Sequence, residues 1–454
     1  MYAWSSRGSH GLLLALAMAI GCADRPEPDD PTRRNLILIS IDTLRADRLG
    51  TYGYDRDTSP TLDALAARGV RFETVIAESN WTLPSHITLF TGLSPALHGV
   101  VSQERKLAES VPMLTEVLRE RGFRTFAFTG GIYLAPNFGF ERGFETYASA
   151  MHEPGSEEMR PIAFRTALAY TQRRIAELDP SERFFAFVHT YDVHCPYDPP
   201  AEYAEKFDSR PASDHVETRE NCGNPTFDEM QLSQGQAKFL SDRYDAGIRH
   251  ADDHLGRFLA RMEKRGVLED TVVAVVSDHG EEFLEHGWIG HRTLHMDILR
   301  VPWIVAGPGI EARVVTAPVG LEDVMPTLLA LLEIPSPPTE GVSMLPAIRG
   351  EHQDAVDRPR FSERGVGPGL RSAVLGDHHL IESRDQRMLF DWRADPKEQN
   401  DLVTIETDRV AELRQVLIDN TVLRSKSPLK AKAGLVGRLD EDLKRRLRAL
   451  GYAL

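Results

Sequence analysis

Short apolar runs alternate with amphipathic segments over the first three quarters of the chain. The runs fall at 35–41 (NLILISI), 124–128 (RTFAF), 184–190 (FFAFVHT), 271–277 (TVVAVVS) and 302–306 (PWIVA). Near-continuous Val, Ile, Leu and Phe predict strands buried on both faces of a sheet. The segments between them carry helix punctuation. Ser59-Pro60 supplies an N-cap and an N1 proline, and Gly69 closes the same segment as a C′ glycine. A second helix runs through MLTEVLRERG. The longest covers 236–266, where Phe239, Tyr244, Ile248, Leu255 and Leu259 recur at helical spacing. Strands separated by helices predict an α/β fold, with a large, mostly parallel sheet between helices.

The texture changes after about residue 350. RFSERG, LRSAVLGDHHLIESRD and RMLFDWRADPKEQNDL read as short strands with turns, and RVAELRQVLIDN reads as a helix. We therefore expect a main domain over 35–350 and a small α+β unit over 351–454. The amphipathic end, LDEDLKRRLRALGYAL, is expected to dock on the body, with a partner-binding helix as the alternative.

The first 21 residues read as an export signal: Arg7 precedes GLLLALAMAIG, an apolar stretch too short to span a bilayer comfortably. Gly21-Cys22 resembles a bacterial lipoprotein cleavage site, although Ala19 stands where leucine is usual. The expected product is exported to the cell envelope or periplasm and lipid-anchored through Cys22. The alternative is an ordinary secretion signal with an incidental cysteine. Residues 22–34, containing ADRPEPDDPT, form a polar, Pro-rich tether. If Cys22 carries lipid, Cys195 and Cys222 remain as an even pair in an oxidising compartment and predict a disulfide. Two independent thiols are the other possibility.

The net charge of −15 argues against a nucleic-acid or anionic-membrane surface. It also means that an anionic ligand has to be drawn in locally, by metal, His, Arg or helix N-termini.

Candidate chemistry sits where apolar strands stop. NLILISIDT ends in Asp42, and TVVAVVSDHG ends in Asp278 and His279. Open α/β sheets place functional groups beyond the carboxyl ends of their strands. Thr82 lies just before Pro84, which is expected to open a short helix, so its hydroxyl falls near free N–H groups and the positive end of the helix dipole. Asp42, Thr82, Asp278 and His279 together suggest one divalent cation. Oxygen donors with one nitrogen favour Mn²⁺ or Zn²⁺, with Ca²⁺ possible. Each residue alone has a bland reading, because Asp after a strand is ordinarily a turn residue and Thr82 could simply cap its helix. His194, His291 and His86 are candidates to contact an anion or protonate a leaving group, and His189, His286 and His295 are further candidates.

These segments carry a family resemblance. NLILISIDTLRADRLGTYGY through SNWTLPSHITLFTGLSPALHGV resembles the N-terminal block of the sulfatases, in the alkaline phosphatase superfamily. VVSDHGEEFLEHGWIGHRTLHMDILRVPWIVAGPG resembles their second metal block, and LFDWRADPKEQNDL their C-terminal domain. The resemblance implies an alkaline phosphatase-like core with a large mixed sheet, plus a smaller domain with an antiparallel sheet. It also implies metal ligands at Asp42, Asp278 and His279, and a nucleophile at Thr82. A substrate-contacting histidine is implied at His194, and His291 stands where many sulfatases have a lysine.

The departures from the family pattern matter more. Sulfatases convert a Cys or Ser at the nucleophile position to formylglycine; Thr82 excludes that residue, so no formylglycine is expected. The hydrated aldehyde expels sulfate by elimination, a route closed to threonine. His86 replaces the signature arginine, and Thr43 replaces the second aspartate of the usual pair. What remains is similar to the phosphonate and phosphodiester hydrolases and the lipoteichoic-acid synthase-like enzymes of the superfamily. The expected function is hydrolysis of a phosphodiester or phosphonate-type ester through Thr82, with an envelope or extracellular glycan or lipid as the anionic substrate. The alternatives are a sulfuric ester hydrolase, an envelope phosphoryl-group transferase, and a metal-retaining, glycan-binding pseudoenzyme.

Overall fold

The computed structural model describes Met1 and residues 33–149, 151–152, 159–160, 162–208, 210–217, 232–351, 358–364 and 369–436. The export signal with Cys22, most of the tether, Cys222 and the C-terminal amphipathic segment lie outside the described residues. No described helix is long and apolar enough to cross a membrane.

The main sheet contains β1 (Asn35–Ile41), β2 (Val70–Ile76), β3 (Arg124–Phe128), β4 (Thr146–Ala148), β5 (Phe184–Thr190), β6 (Thr271–Val276), β7 (Arg300–Ala306), β8 (Arg313–Val315) and β9 (Val319–Gly320). The strand order is β8-β2-β7-β6-β1-β5-β3-β4, with β9 also on β2. Every pairing is parallel except those of β7, which runs antiparallel to both β2 and β6. The sheet is therefore large and mostly parallel, as expected. Its alternation explains the unbroken apolar runs: Leu36 and Leu38 pack into one layer, while Ile37, Ile39 and Ile41 pack into the other.

Three helices cover the second of those layers: α1 (Pro60–Ala67), α3 (Phe164–Glu177) and α4 (Gln234–Lys264). On the opposite face lie α2 (Thr82–Thr91) and α5 (Val324–Leu331). Ser233 opens α4 through a capping box, accepting from the Gln236 N–H while the Gln236 side chain accepts from the Ser233 N–H. Strand β2 has no counterpart among the expected runs because Arg71 and Glu73 interrupt its apolar positions. Packing overrides that local pattern: Phe72 stacks on Trp303 of β7 with ring centroids 3.9 Å apart. Gly69 also differs from its expected role. It has no left-handed φ, and a Cβ there would strike the Val305 carbonyl. Close approach of helix and sheet requires this glycine, rather than helix termination.

A separate four-stranded antiparallel sheet follows, formed by β10 (Arg360–Glu363), β11 (Arg371–Leu375), β12 (His378–Glu382) and β13 (Arg387–Asp391). Helix α6 (Thr407–Lys426) covers one face through Val410, Leu413 and Leu417. The other face packs Val374, Ile381, Phe390 and Trp392 onto Leu294, Met296, Ile298 and Leu299. β10 is also joined to the segment before α2: Ser362 Oγ donates to the Ala77 carbonyl at 2.7 Å, and the Glu363 N–H donates to the Glu78 carbonyl at 2.9 Å. Arg360 completes the joint, placing Nη1 3.1 Å from Glu322 and 2.9 Å from Asp323, with all three side chains at most 10% exposed. Arg360→Met removes the more buried of the two guanidinium groups that face Glu322 and Asp323 and leaves them Arg358 alone. It should lower stability by about 3–5 kcal/mol, measured as a reduced urea midpoint at unchanged slope.

Candidate active site

Three adjacent parallel strands set the floor of the site. Ser40 of β1 pairs with His189 of β5 on one side and Val276 of β6 on the other. Asp42, Tyr191 and Asp278 therefore leave the sheet at nearly the same level. The Asp42 N–H still donates to the Thr190 carbonyl at 3.1 Å. The chain then turns at Thr43, whose φ of 60° is rare for a β-branched residue. That turn aims the Thr43 N–H at Asp278 Oδ1, 3.3 Å away, while the Tyr244 hydroxyl donates to the Thr43 carbonyl at 2.6 Å. Local strain is held by long-range contacts.

One ligand-type atom from each of Asp42, Asp278 and His279 lies within 4.8 Å of the others, and all three residues are buried. His279 Nδ1 faces the Gly280 carbonyl at 3.0 Å, so Nδ1 carries the hydrogen. This leaves the Nε2 lone pair 3.3 Å from Asp278 Oδ2 and 4.0 Å from Asp42 Oδ1. Asp42 Oδ1 and Asp278 Oδ2 are buried with no hydrogen-bond partner. Burial, together with repulsion from Asp278 and Glu281, pushes the Asp42 carboxyl well above the ordinary carboxylate range. Burial also raises Asp278, while nearby His86 works against the shift. Two fully buried carboxylates held together with unpartnered oxygens fit a divalent cation.

The Thr82 hydroxyl stands beside them, 3.2 Å from Asp42 Oδ2 and 3.5 Å from His279 Nε2. Helix α2 begins at Thr82 itself, earlier than expected, and Pro84 occupies the first turn, where no intrahelical N–H is needed. Its N-cap position, Trp81, makes no side-chain cap. Tyr191, which has no sequence motif of its own, donates its hydroxyl to Thr82 Oγ1 at 3.4 Å. Its one sequence signal was its position directly after a buried strand.

The remaining candidates divide by location. His194 and His291 both lie at the site, with ring centroids 5.7 Å apart, and His291 sits 4.4 Å from the His279 ring. His194 Nδ1 donates to the Cys195 carbonyl at 2.7 Å, and His291 Nδ1 donates to the Asn80 carbonyl at 2.9 Å. The Asn80 amide returns a bond to the His291 carbonyl at 2.8 Å. Burial lowers both imidazoles to about 3, so each rests neutral with its hydrogen on Nδ1. An anion beside Nε2 would raise those values.

His86 lies behind the site rather than in it. Its Nδ1 meets the Thr82 carbonyl and its Nε2 meets Ser40 Oγ, each at 2.9 Å, which leaves neither nitrogen free for an anion. His189 is buried, with Nε2 3.4 Å from Asp42 Oδ2. His286 and His295 gather around Glu282. Cys195 is disulfide-bonded to a partner outside the described residues.

A hydroxyl at a helix N-terminus, next to a buried Asp-Asp-His set, is the arrangement of an ester hydrolase built around a divalent cation. The sulfatase family profile matches residues 34–334, and the chain belongs to that family, whose members hydrolyse esters. An arylsulfatase of Clostridium perfringens is 24% identical over 458 residues, covering 85% of this chain and 93% of the relative. The same fold occurs in a protein solved with its substrate D-glucosamine-2-N,6-O-disulfate. It has a TM-score of 0.71 at 17% identity and covers 88% of this chain and 100% of that one. It occurs again in a phosphonate monoester hydrolase of Agrobacterium radiobacter, with a TM-score of 0.71 at 20% identity, covering 87% and 96%.

Asp278→Asn removes one of the two buried carboxylates of the site. It should cost the protein one equivalent of bound Mn²⁺ or Zn²⁺ after loading and dialysis, counted by elemental analysis against the parent chain.

Proposed function

We propose that this sulfatase-family hydrolase cleaves phosphodiester or phosphonate-type esters with Thr82 as its nucleophile. The observation that carries the reading is the identity and placement of that residue. A threonine hydroxyl lies against Asp42 and His279 where formylglycine would otherwise stand. A formylglycine hydrate ejects sulfate by losing a proton from its second hydroxyl, and Thr82 has no second hydroxyl. A phosphoryl group on Thr82 has another exit, because water can attack phosphorus.

In the first step Thr82 Oγ bonds to phosphorus, the ester P–O bond breaks, and the threonine proton passes to Asp42 Oδ2. The departing alkoxide takes a proton from His194 or His291 once the bound anion has raised their affinity for it. In the second step water attacks phosphothreonine, the neutral imidazole accepts a water proton at Nε2, and the Thr82 Oγ–P bond breaks as Oγ takes back the proton held on Asp42 Oδ2. In the first turn of α2 Pro84 has no N–H and the Ser85 N–H goes to the Trp81 carbonyl at 3.2 Å, so the Thr82 and Leu83 N–H groups would serve the non-bridging oxygens. A bound divalent cation, held by Asp42, Asp278, His279 and Thr82, supplies Lewis acidity and lowers the hydroxyl's proton affinity. Mn²⁺ and Zn²⁺ suit this donor set best. Export and anchoring through Cys22 would put the enzyme beside envelope glycans or lipids.

Sulfuric ester hydrolysis is the second reading, favoured by the arylsulfatase relative. Matched p-nitrophenyl sulfate, phosphate, phosphodiester and phosphonate substrates separate the two. Diester or phosphonate turnover should dominate, and Thr82→Ala should lower it at least about a thousandfold. Dominant sulfate turnover would sink the proposal.

A further inference from the structure

Buried arginines elsewhere in this chain are held by carboxylates: Arg45 pairs with Asp47, Glu285 and Asp297, and Arg360 with Glu322 and Asp323. Arg364 is an exception. It is half-buried and makes no ion pair or side-chain hydrogen bond among the described residues. In a chain of net charge −15, a guanidinium left without a carboxylate calls for an anion from outside.

Strand register puts this group beside the catalytic segment. Arg360, Ser362 and Arg364 alternate onto the face of β10 that meets the main domain, and the Arg364 N–H continues the ladder by donating to the Leu370 carbonyl at 2.9 Å. Arg360 reaches Glu322 and Asp323, and Ser362 reaches the Ala77 carbonyl. Glu363 lies on the other face, in the field of Arg424 and Arg371. Its backbone bridges Ser79 in parallel register, so Arg364 comes level with Asn80, two residues before Thr82. Asn80 in turn holds His291 through two hydrogen bonds, and the next residue is Arg292. Arg292 is half-buried too, with its guanidinium 5.8 Å from the ring of the exposed Trp288. Burial lowers the proton affinity of Arg292, and the nearby charge of Arg364 lowers it further. Both guanidiniums nevertheless stay charged at neutral pH.

We propose that Arg292 and Arg364 form a second anion subsite beside the ester-cleaving centre, and that the substrate carries a further carboxylate or phosphate beyond the scissile ester. This rests on the ester-hydrolase reading of Thr82 and narrows its substrates to molecules with at least two negative groups. Two like charges held side by side, partly out of water, repel each other, and an oxyanion between them relieves both. Guanidinium forks match the oxygens of carboxylate and phosphate groups. The pair also gives a net acidic protein a local positive field next to its site, where an anionic substrate has to approach.

The test uses the full chain loaded with Mn²⁺ and phosphonates whose C–P bond survives, so that binding is read without turnover. Calorimetry compares ω-phosphonocarboxylates and α,ω-bisphosphonates with alkylphosphonates of equal chain length, over a series of lengths. At the matching length the second anion should tighten Kd at least about tenfold. Arg292→Gln and Arg364→Gln should each remove most of that gain, and Arg364→Lys should keep part of it. The carboxylate and bisphosphonate arms tell a carboxylated substrate from a polyphosphorylated one. No gain at any length, with the simple phosphonate still bound, overturns the subsite and leaves the Thr82 reading standing. A full gain in folded Arg364→Gln overturns it as well. Should alkylsulfonates bind and alkylphosphonates not, the Thr82 reading fails, and ω-sulfocarboxylates against alkylsulfonates decide the subsite by the same criterion. Failure of every pair to bind overturns both.

Discussion

Two carboxylates that should repel each other are locked together, and much of this fold serves to keep them there. Asp42 and Asp278 end neighbouring parallel strands whose register allows no sliding, because a one-residue slip would move every side chain into the opposite core layer. Water is excluded from both, and lone pairs on each lack a partner. Such a pair is costly unless something positive joins it. The requirement for a cation thus arises from strand register and burial before any particular reaction is considered.

The neighbouring residues make sense as supports of that arrangement. Thr43 holds a strained backbone angle so that its N–H can reach Asp278, and Tyr244 secures the turn from α4. His86 ties the first turn of α2 to Ser40 of β1, which fixes the Thr82 main chain relative to the strand delivering Asp42. A residue at the place of a signature arginine thereby becomes part of the scaffold. His194 and His291 are each pinned to a carbonyl through Nδ1, and His194 Nε2 is buried without a hydrogen-bond partner.

The small C-terminal sheet is also bound into this framework. One of its faces covers 294–299, and its first strand grips the residues just before α2. The segment just before Thr82 and the one just after His291 are therefore backed by the same unit.

Much was legible in the chain because burial leaves a plain signature. Unbroken apolar runs marked β1, β3, β5, β6 and most of β7, and the residues after two of them were the carboxylates of the site. Strand β2 was not legible, since Arg71 and Glu73 mimic a surface segment until Trp303 packs against Phe72. Nor was the antiparallel direction of β7, which depends on connections rather than composition. Residue identity by itself determined that Thr82 cannot become formylglycine and that Asp42, Asp278 and His279 can bind a cation. Only the tertiary structure decided that His86 supports the site from behind while Tyr191 reaches Thr82, and that His286 and His295 turn toward Glu282. Side-chain direction depends on contacts between residues far apart in sequence, and no local pattern encodes them.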